Sequence, residues 1–317
     1  MKHRLTRRDL AAMLGAGVVS RVVRASQKVT PGVGRVGTAG IPPHARPAAF
    51  FRAVGDAVRR SMGIETAEAA FRGLFTKRDT VGIKVNCLGG PRMSPRPEVV
   101  GALVELLAGA GVERSRIIVF ERSSRELERA GFSLRKKGGP SLCYGIDNDY
   151  DREPTVAGAV ASCFARLVST TCTALISVGV VKDHDFAGVS AGLKNWYGVI
   201  HNPNKYHDGN CDPYVADVVR HRWIGGKLRL TVLDGGRAQY RGGPAFANRG
   251  VFDLGLVAAS SDPVAADAWA WRMIEEERAR RALGTLADEK RSPRFIQTAA
   301  AYGLGVGDMK KLKVVSG

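Results

Sequence analysis

Short apolar runs at residues 81–86, 116–120, 175–181, 228–233 and 254–259 alternate along this chain with segments patterned as helices. No other feature limits the fold as much. Residues 81–86 alternate apolar and polar side chains, and 116–120 form a continuous β-branched and aromatic run; both are strand signatures. Helices are expected at 97–110, where Pro97 stands near the start and Gly111 follows the end, and at 124–130, 189–200, 213–223 and 263–278. Two more, at 46–62 and 66–75, precede the first strand. Strand, loop and helix in this order predict an α/β architecture, a largely parallel sheet with helices on both faces. Residues 136–154 are polar, rich in Gly and Asp, and read as irregular.

A chain of 317 residues with 44% apolar content can bury a full core. Residues 46–317 are therefore expected to form one α/β domain or two closely packed lobes. Residues 27–45, rich in Gly, Pro and Thr, read as a linker. The first 26 residues resemble a twin-arginine export signal, with Arg7-Arg8-Asp9-Leu10 followed by a small-residue apolar run at 11–20. This predicts an exported, periplasmic protein. The competing reading is a basic amphipathic helix at the N-terminus of a cytoplasmic one. No apolar run approaches the roughly 18 residues of a membrane-spanning helix.

A net charge of +18 permits nucleic-acid or anionic-surface binding. The charges are dispersed, however, many on helix faces such as Arg59, Arg60, Arg278, Arg280 and Arg281. No stretch interleaves aromatic and basic residues as a base-stacking platform would. This argues against nucleic acid and leaves an anionic small molecule as the fitting partner. The five cysteines are odd in number and share no Cys-x-x-Cys spacing. This chain therefore carries no iron–sulphur motif of its own, and any redox role would use a partner protein's cluster.

In open α/β sheets ligands bind beyond the carboxyl ends of the strands. The five expected strands end at Lys84 and Asn86, at Glu121-Arg122, at Lys182-Asp183-His184, at Asp234, and at Ser261-Asp262. Each brings ionisable or hydrogen-bonding groups to one edge. Lys84 stands inside an apolar strand, where an unpaired ammonium is costly to desolvate, so it needs an acidic partner or an anionic ligand. Between 182 and 208 lie three of the six histidines, His184, His201 and His207. On a helix over 189–200, Val189, Leu193, Trp196 and Ile200 form a buried stripe, with Ser190, Lys194, Tyr197 and His201 beside it. Lys194 and His201 would then stand about 10 Å apart and could bracket a ligand. Asn195 points elsewhere, either to a ligand or to a neighbouring loop. His184, His207 and Asp208 are able to hold a divalent metal, with Cys211 and Asp212 near enough in sequence to add ligands, although the spacing fits no standard zinc motif. His184 is equally suited to proton transfer. Asp262-Pro263 also reads as a helix cap with Pro at the first helical position.

Taken in order, residues 83–86 (Ile-Lys-Val-Asn), Lys182-x-His184, residues 192–195 (Gly-Leu-Lys-Asn) with Gly198, Leu233-Asp234-Gly235, Gly242-Gly243-Pro244 and Asp262-Pro263 with Asp267 resemble the bacterial and archaeal family catalogued as domain of unknown function 362. The resemblance covers roughly residues 80–317. It implies an α/β domain and, for some members, twin-arginine export. Other members carry a ferredoxin-like module and an iron–sulphur label, which does not transfer to a chain lacking those cysteines. The resemblance assigns no reaction. It singles out Lys84, Asn86, His184, Lys194, Asn195, Asp234 and Asp267. The expected site therefore has His184, Lys194 and Asp234 as its chemical groups, with Asp234 orienting His184 or completing a metal shell. Lys84, Asn86, Lys182, Asn195 and His201 would hold the ligand. The cofactor is left open. An enzyme, a non-catalytic ligand-binding protein and a redox-associated subunit remain alternatives.

Overall fold

The computed structural model describes residues 34–317, so the twin-arginine-type segment at 1–26 lies outside the described residues. The strands are β1 (Arg35–Gly40), β2 (Val81–Val85), β3 (Ile117–Glu121), β4 (Leu142–Gly145), β5 (Thr155–Ala157), β6 (Val160–Ser162), β7 (Ala174–His184), β8 (Gly188–Ser190), β9 (Leu228–Gln239), β10 (Val251–Phe252), β11 (Leu256–Ser260) and β12 (Lys313–Val315). A single sheet runs β12-β1-β11-β9-β7-β2-β3-β4, with β8 added to β7 and β10 to β9, while β5 and β6 form a separate hairpin. Strands β9, β7, β2, β3 and β4 are mutually parallel. This is the α/β fold, with its largely parallel centre, that the alternation predicts.

Three expectations need correction. Residues 136–154, read as irregular, contain β4, which pairs in parallel with β3. Strand β11 runs antiparallel to both β9 and β1, so its Ser261-Asp262 end falls on the edge opposite the other four. Asp262 instead caps the following helix, accepting from the Ala265 amide at 2.8 Å. Residues 35–40, inside the expected linker, are the sheet strand β1, and its Gly37 lies so near the helix above that a Cβ would stand 2.0 Å from the Ala57 oxygen. A Gly- and Pro-rich segment reads as a linker from local composition, whereas long-range pairing makes part of it a strand.

The helices are α1 (Pro47–Met62), α2 (Ala67–Leu74), α3 (Pro97–Gly109), α4 (Ser124–Arg129), α5 (Tyr214–Arg220), α6 (Pro263–Arg280) and α7 (Arg294–Ala301). Pro47, Pro97 and Pro263 open their helices, where a missing N–H costs nothing. Strand parity divides the core in two. Val81, Ile83, Val85, Ile117, Val119, Ile176 and Val178 pack with α1 to α4. Ile118, Phe120 and Leu175 face the opposite side, under Trp196, Val199 and the α5 and α7 helices. Lys84 has the parity of that second face.

Strands β3 and β4 step away from β2 on one side, and β7 and β9 on the other. The strand order therefore reverses between β2 and β7, and a crevice opens beyond their carboxyl ends.

Candidate functional site

A cavity of about 490 Å³ occupies that crevice, with Lys84, Asn86, His184, Lys194, Asn195 and His207 in its wall. It is the size of a small-molecule site. What covers it is the segment after β7. The helix expected over 189–200 does not form. Residues Gly188–Ser190 turn back as β8, pairing Ser190 with Lys182. The fully buried Asp267 of α6 then captures the Gly192 and Leu193 amides at 2.7 and 3.1 Å. Only a short 3-10 turn, Lys194–Val199, follows. The apolar positions Val189, Leu193, Trp196 and Ile200 are all buried as the spacing requires, but on a strand and a tight turn. Gly192 and Gly198 weaken a helix here, and both are needed for close approach. A Cβ on Gly192 would stand 2.4 Å from Thr231 Cγ2, and one on Gly198 would stand 2.7 Å from Lys84 Nζ.

Lys84 resolves into an ion pair. Its ammonium, 1% exposed, donates to Glu121 Oε1 at 2.6 Å, to the Val85 carbonyl at 2.8 Å and to Asn195 Oδ1 at 3.1 Å. The acidic partner that the buried lysine required is thus the residue ending β3. The second Glu121 oxygen accepts from the Cys87 amide at 3.0 Å. Asn195 returns its own N–H groups to the Lys84 carbonyl at 2.8 Å and to Ser177 Oγ at 3.1 Å. It therefore bolts the 3-10 turn onto β2 and β7 while standing in the cavity wall.

The other two buried lysines have no such partner. Lys194, 8% exposed, has its Nζ 3.1 Å from His207 Nε2 and 4.6 Å from the centre of the Tyr197 ring. Among the described residues no carboxylate reaches it within ion-pair distance. Burial, opposed only by more distant negative groups, lowers its pKa. Lys182 is completely buried, and its ammonium makes one long contact, 3.4 Å to Asn86 Oδ1. Burial pulls it down to about 8, although Glu121 acts against the shift. An ammonium held at that value exchanges protons close to neutral pH.

His184 is set by its own turn. Its Nδ1 accepts from the Phe186 and Ala187 amides at 3.1 and 3.3 Å, which places the proton on Nε2. The Asp185 carboxylate lies 2.9 Å from the same Nδ1, but a nitrogen already accepting two amides has no proton to give it. Burial first, then the Lys194 ammonium, pushes the imidazole down to about 2. Near neutral pH His184 is thus a neutral donor through Nε2–H. Its ring stacks on His207, centroids 5.8 Å apart at 29°.

Four expected members stand outside the cavity wall; Lys182 is buried behind Asn86, and the other three stand elsewhere. Asp234 does not line the cavity: its carboxylate is clamped by the Arg96 guanidinium at 2.6 Å and the Arg96 and Gly236 amides at 2.8 and 2.9 Å. It fastens the start of α3 to β9 and neither orients His184 nor joins a metal shell. His201 is exposed and packs edge-on against Tyr150, centroids 5.3 Å apart, because the chain leaves the helical path before reaching it. Asp208 is exposed on a kinked turn whose Gly209 and Asn210 have positive φ. Among the described residues no three His, Cys, Asp or Glu side chains converge as metal ligands. The ring nitrogen of His207 that a cation would take is already met by the Lys194 ammonium. Asp183, between Lys182 and His184, accepts from the Gly243 amide at 2.8 Å and from Arg291 at 2.9 Å. It thereby holds the Gly242-Gly243-Pro244 loop against the cavity.

Residues that the sequence did not single out add to the wall: Leu88, Glu126, Phe186, Pro203 and Asn204. Glu126 stands on α4, and the others lie in turns or a short 3-10 segment whose position depends on contacts distant in sequence. No described helix is long and apolar enough to cross a membrane.

No protein of curated function matches this chain. A crystal structure of a protein from Thermotoga maritima resembles it at 11% identity and a TM-score of 0.41, over 74% of this chain and 59% of that one. A family profile described as domain of unknown function (DUF362) matches residues 81–272, the stretch that builds β2 through most of α6 and every cavity side chain discussed above. The chain belongs to the domain of unknown function 362 family.

Proposed function

We propose that the cavity between β2 and β7 binds a small carboxylate or phosphate and polarises it, and that the protein is an enzyme acting on that anion. The observation that carries this reading is Lys194: an ammonium almost fully buried in a cavity wall, with a neutral imidazole where a carboxylate would be expected. A desolvated charge left this way gains most from an anionic ligand. His184 supplies a second donor through Nε2–H, and the two together suit an oxygen on which negative charge develops. Lys182, behind Asn86 and held at about 8, donates to the Asn86 oxygen and so turns that amide's N–H groups toward the ligand. A non-catalytic anion-binding role would use the same donors without turnover.

The direct test is a melting series with acetate and inorganic phosphate at concentrations up to tens of millimolar. Saturation at about ten times Kd stabilises by about 1.4 kcal/mol, a rise on the order of 3 °C. Lys194→Met should abolish that rise while keeping the unliganded melting temperature within a few degrees. An unchanged anion response in the variant would remove Lys194 from the site.

Export follows from Arg7-Arg8 and remains part of this proposal. The variant Arg7→Lys with Arg8→Lys should stay in the cytoplasm, as fractionation would read, and normal secretion of it would reject the twin-arginine route.

A further inference from the structure

The cationic floor of the cavity is only part of its chemistry. Five large apolar side chains are exposed among the described residues, and two of them, Phe186 at 58% and Leu88 at 54%, stand in this cavity's wall. Solvent-facing apolar groups gathered at a concave site mark a binding surface more often than isolated ones do. Phe186 is not a loose loop residue. Its amide is held by His184 Nδ1 at 3.1 Å and Asp185 Oδ1 at 3.0 Å, so the backbone beneath the exposed ring is fixed. The ring meets His207 edge-on, centroids 6.2 Å apart at 76°. His207 meets Tyr197 in the same way at 5.5 Å and 74°, and stacks on His184. Four aromatic rings thus form one continuous wall beside the Lys194 ammonium, and Leu88 adds a further apolar group.

Resting on the anion-binding reading above, we infer that the ligand is an aromatic acid: a carboxylate or phosphate attached to a flat apolar ring. The acidic group lies at Lys194 and the His184 Nε2–H. The ring lies along Phe186 and His207, with Leu88 covering part of it. A cavity of about 490 Å³ accommodates a substituted ring and leaves room for further substituents on it.

The test is a matched set of probes measured by calorimetry on the full chain: acetate against benzoate, and inorganic phosphate against phenyl phosphate. Burying most of one ring face should make each aromatic member bind about tenfold or more tighter than its simple counterpart. In the double variant Phe186→Ala with Leu88→Ala, both at exposed positions, the aromatic preference should fall to within about threefold while acetate and phosphate binding persists. Equal binding of benzoate and acetate to the unaltered protein, or a preference that survives in the double variant, overturns the aromatic inference and leaves the anion site standing. Failure of all four probes to bind, or benzoate binding that is indifferent to Lys194→Met, overturns both.

Discussion

Lys84→Met should lower the stability of the protein by about 3–5 kcal/mol, the usual consequence of removing one member of a buried ion pair. Glu121 would keep its carboxylate, 4% exposed, with only the Cys87 and Arg122 amides to satisfy it. Asn195 would lose the ammonium that fixes its Oδ1, so the 3-10 turn carrying Lys194 would loosen as well. Chemical denaturation reads the first effect, and the melting temperature should fall on the order of 10 °C. The double variant Lys84→Met with Glu121→Gln tells pairing from packing. If the cost is the orphaned charge, neutralising Glu121 should recover at least half of it, because replacing both members of a buried pair is often close to neutral. A single variant within about 1 kcal/mol of the parent, or a double variant no better than the single, would show that the pair is not what holds β2, β3 and the turn together.

Lys84 also shows how far the residues themselves could be read. An ammonium within an apolar strand announces a partner, because the desolvation cost is local and independent of the fold. Which partner is not local. Glu121 reaches it only because β2 and β3 pair in parallel, with Lys84 opposite Phe120. The strands themselves were legible for the same reason as the lysine: β-branched runs declare burial over four or five residues. Strands β1 and β12 were not, being short, pairing with each other at one edge of the sheet, and drawn from opposite ends of the described chain.

The errors within the site share one cause. Helical spacing over 189–200 correctly marked which residues are buried, but a strand turning into a 3-10 helix buries the same ones. That substitution moved His201 to the surface and brought Lys194 against His207. Asp234 ends its strand on the expected edge, yet the residue it meets is Arg96, 138 positions earlier, whose amide and guanidinium both converge on it. Pattern in a sequence reports exposure and period. It does not report which long-range polar groups will find each other, and that pairing separates a cavity wall from a structural clamp.

The same clamp logic makes Asp267 the most revealing group to titrate. It is fully buried, it accepts only the Gly192 and Leu193 amides, and no charged neighbour offsets its desolvation, so its pKa is raised to about 7. Between its ordinary value and about 7, the folded protein holds a proton at this position that the unfolded chain has released. Raising the pH through that window therefore favours unfolding, by on the order of 4 kcal/mol once both states are ionised. His184 acts in the opposite direction. With its pKa pushed down to about 2, the unfolded chain binds the extra proton below about 6.5, and stability rises with pH across that range. The two partly cancel, so the parent protein should show a shallow stability profile from pH 4 to 7. Asp267→Asn removes one side of the balance. Its Oδ1 can still accept both amides, as Asp267 Oδ1 does at 2.7 and 3.1 Å. The variant should lie within about 1 kcal/mol of the parent near pH 4 and exceed it by several kcal/mol at pH 8. Denaturant titrations at the two pH values measure this difference directly. A variant that is less stable than the parent at pH 8 would mean that the carboxylate is ionised and well satisfied where it lies, and that the segment presenting Lys194 depends on its charge.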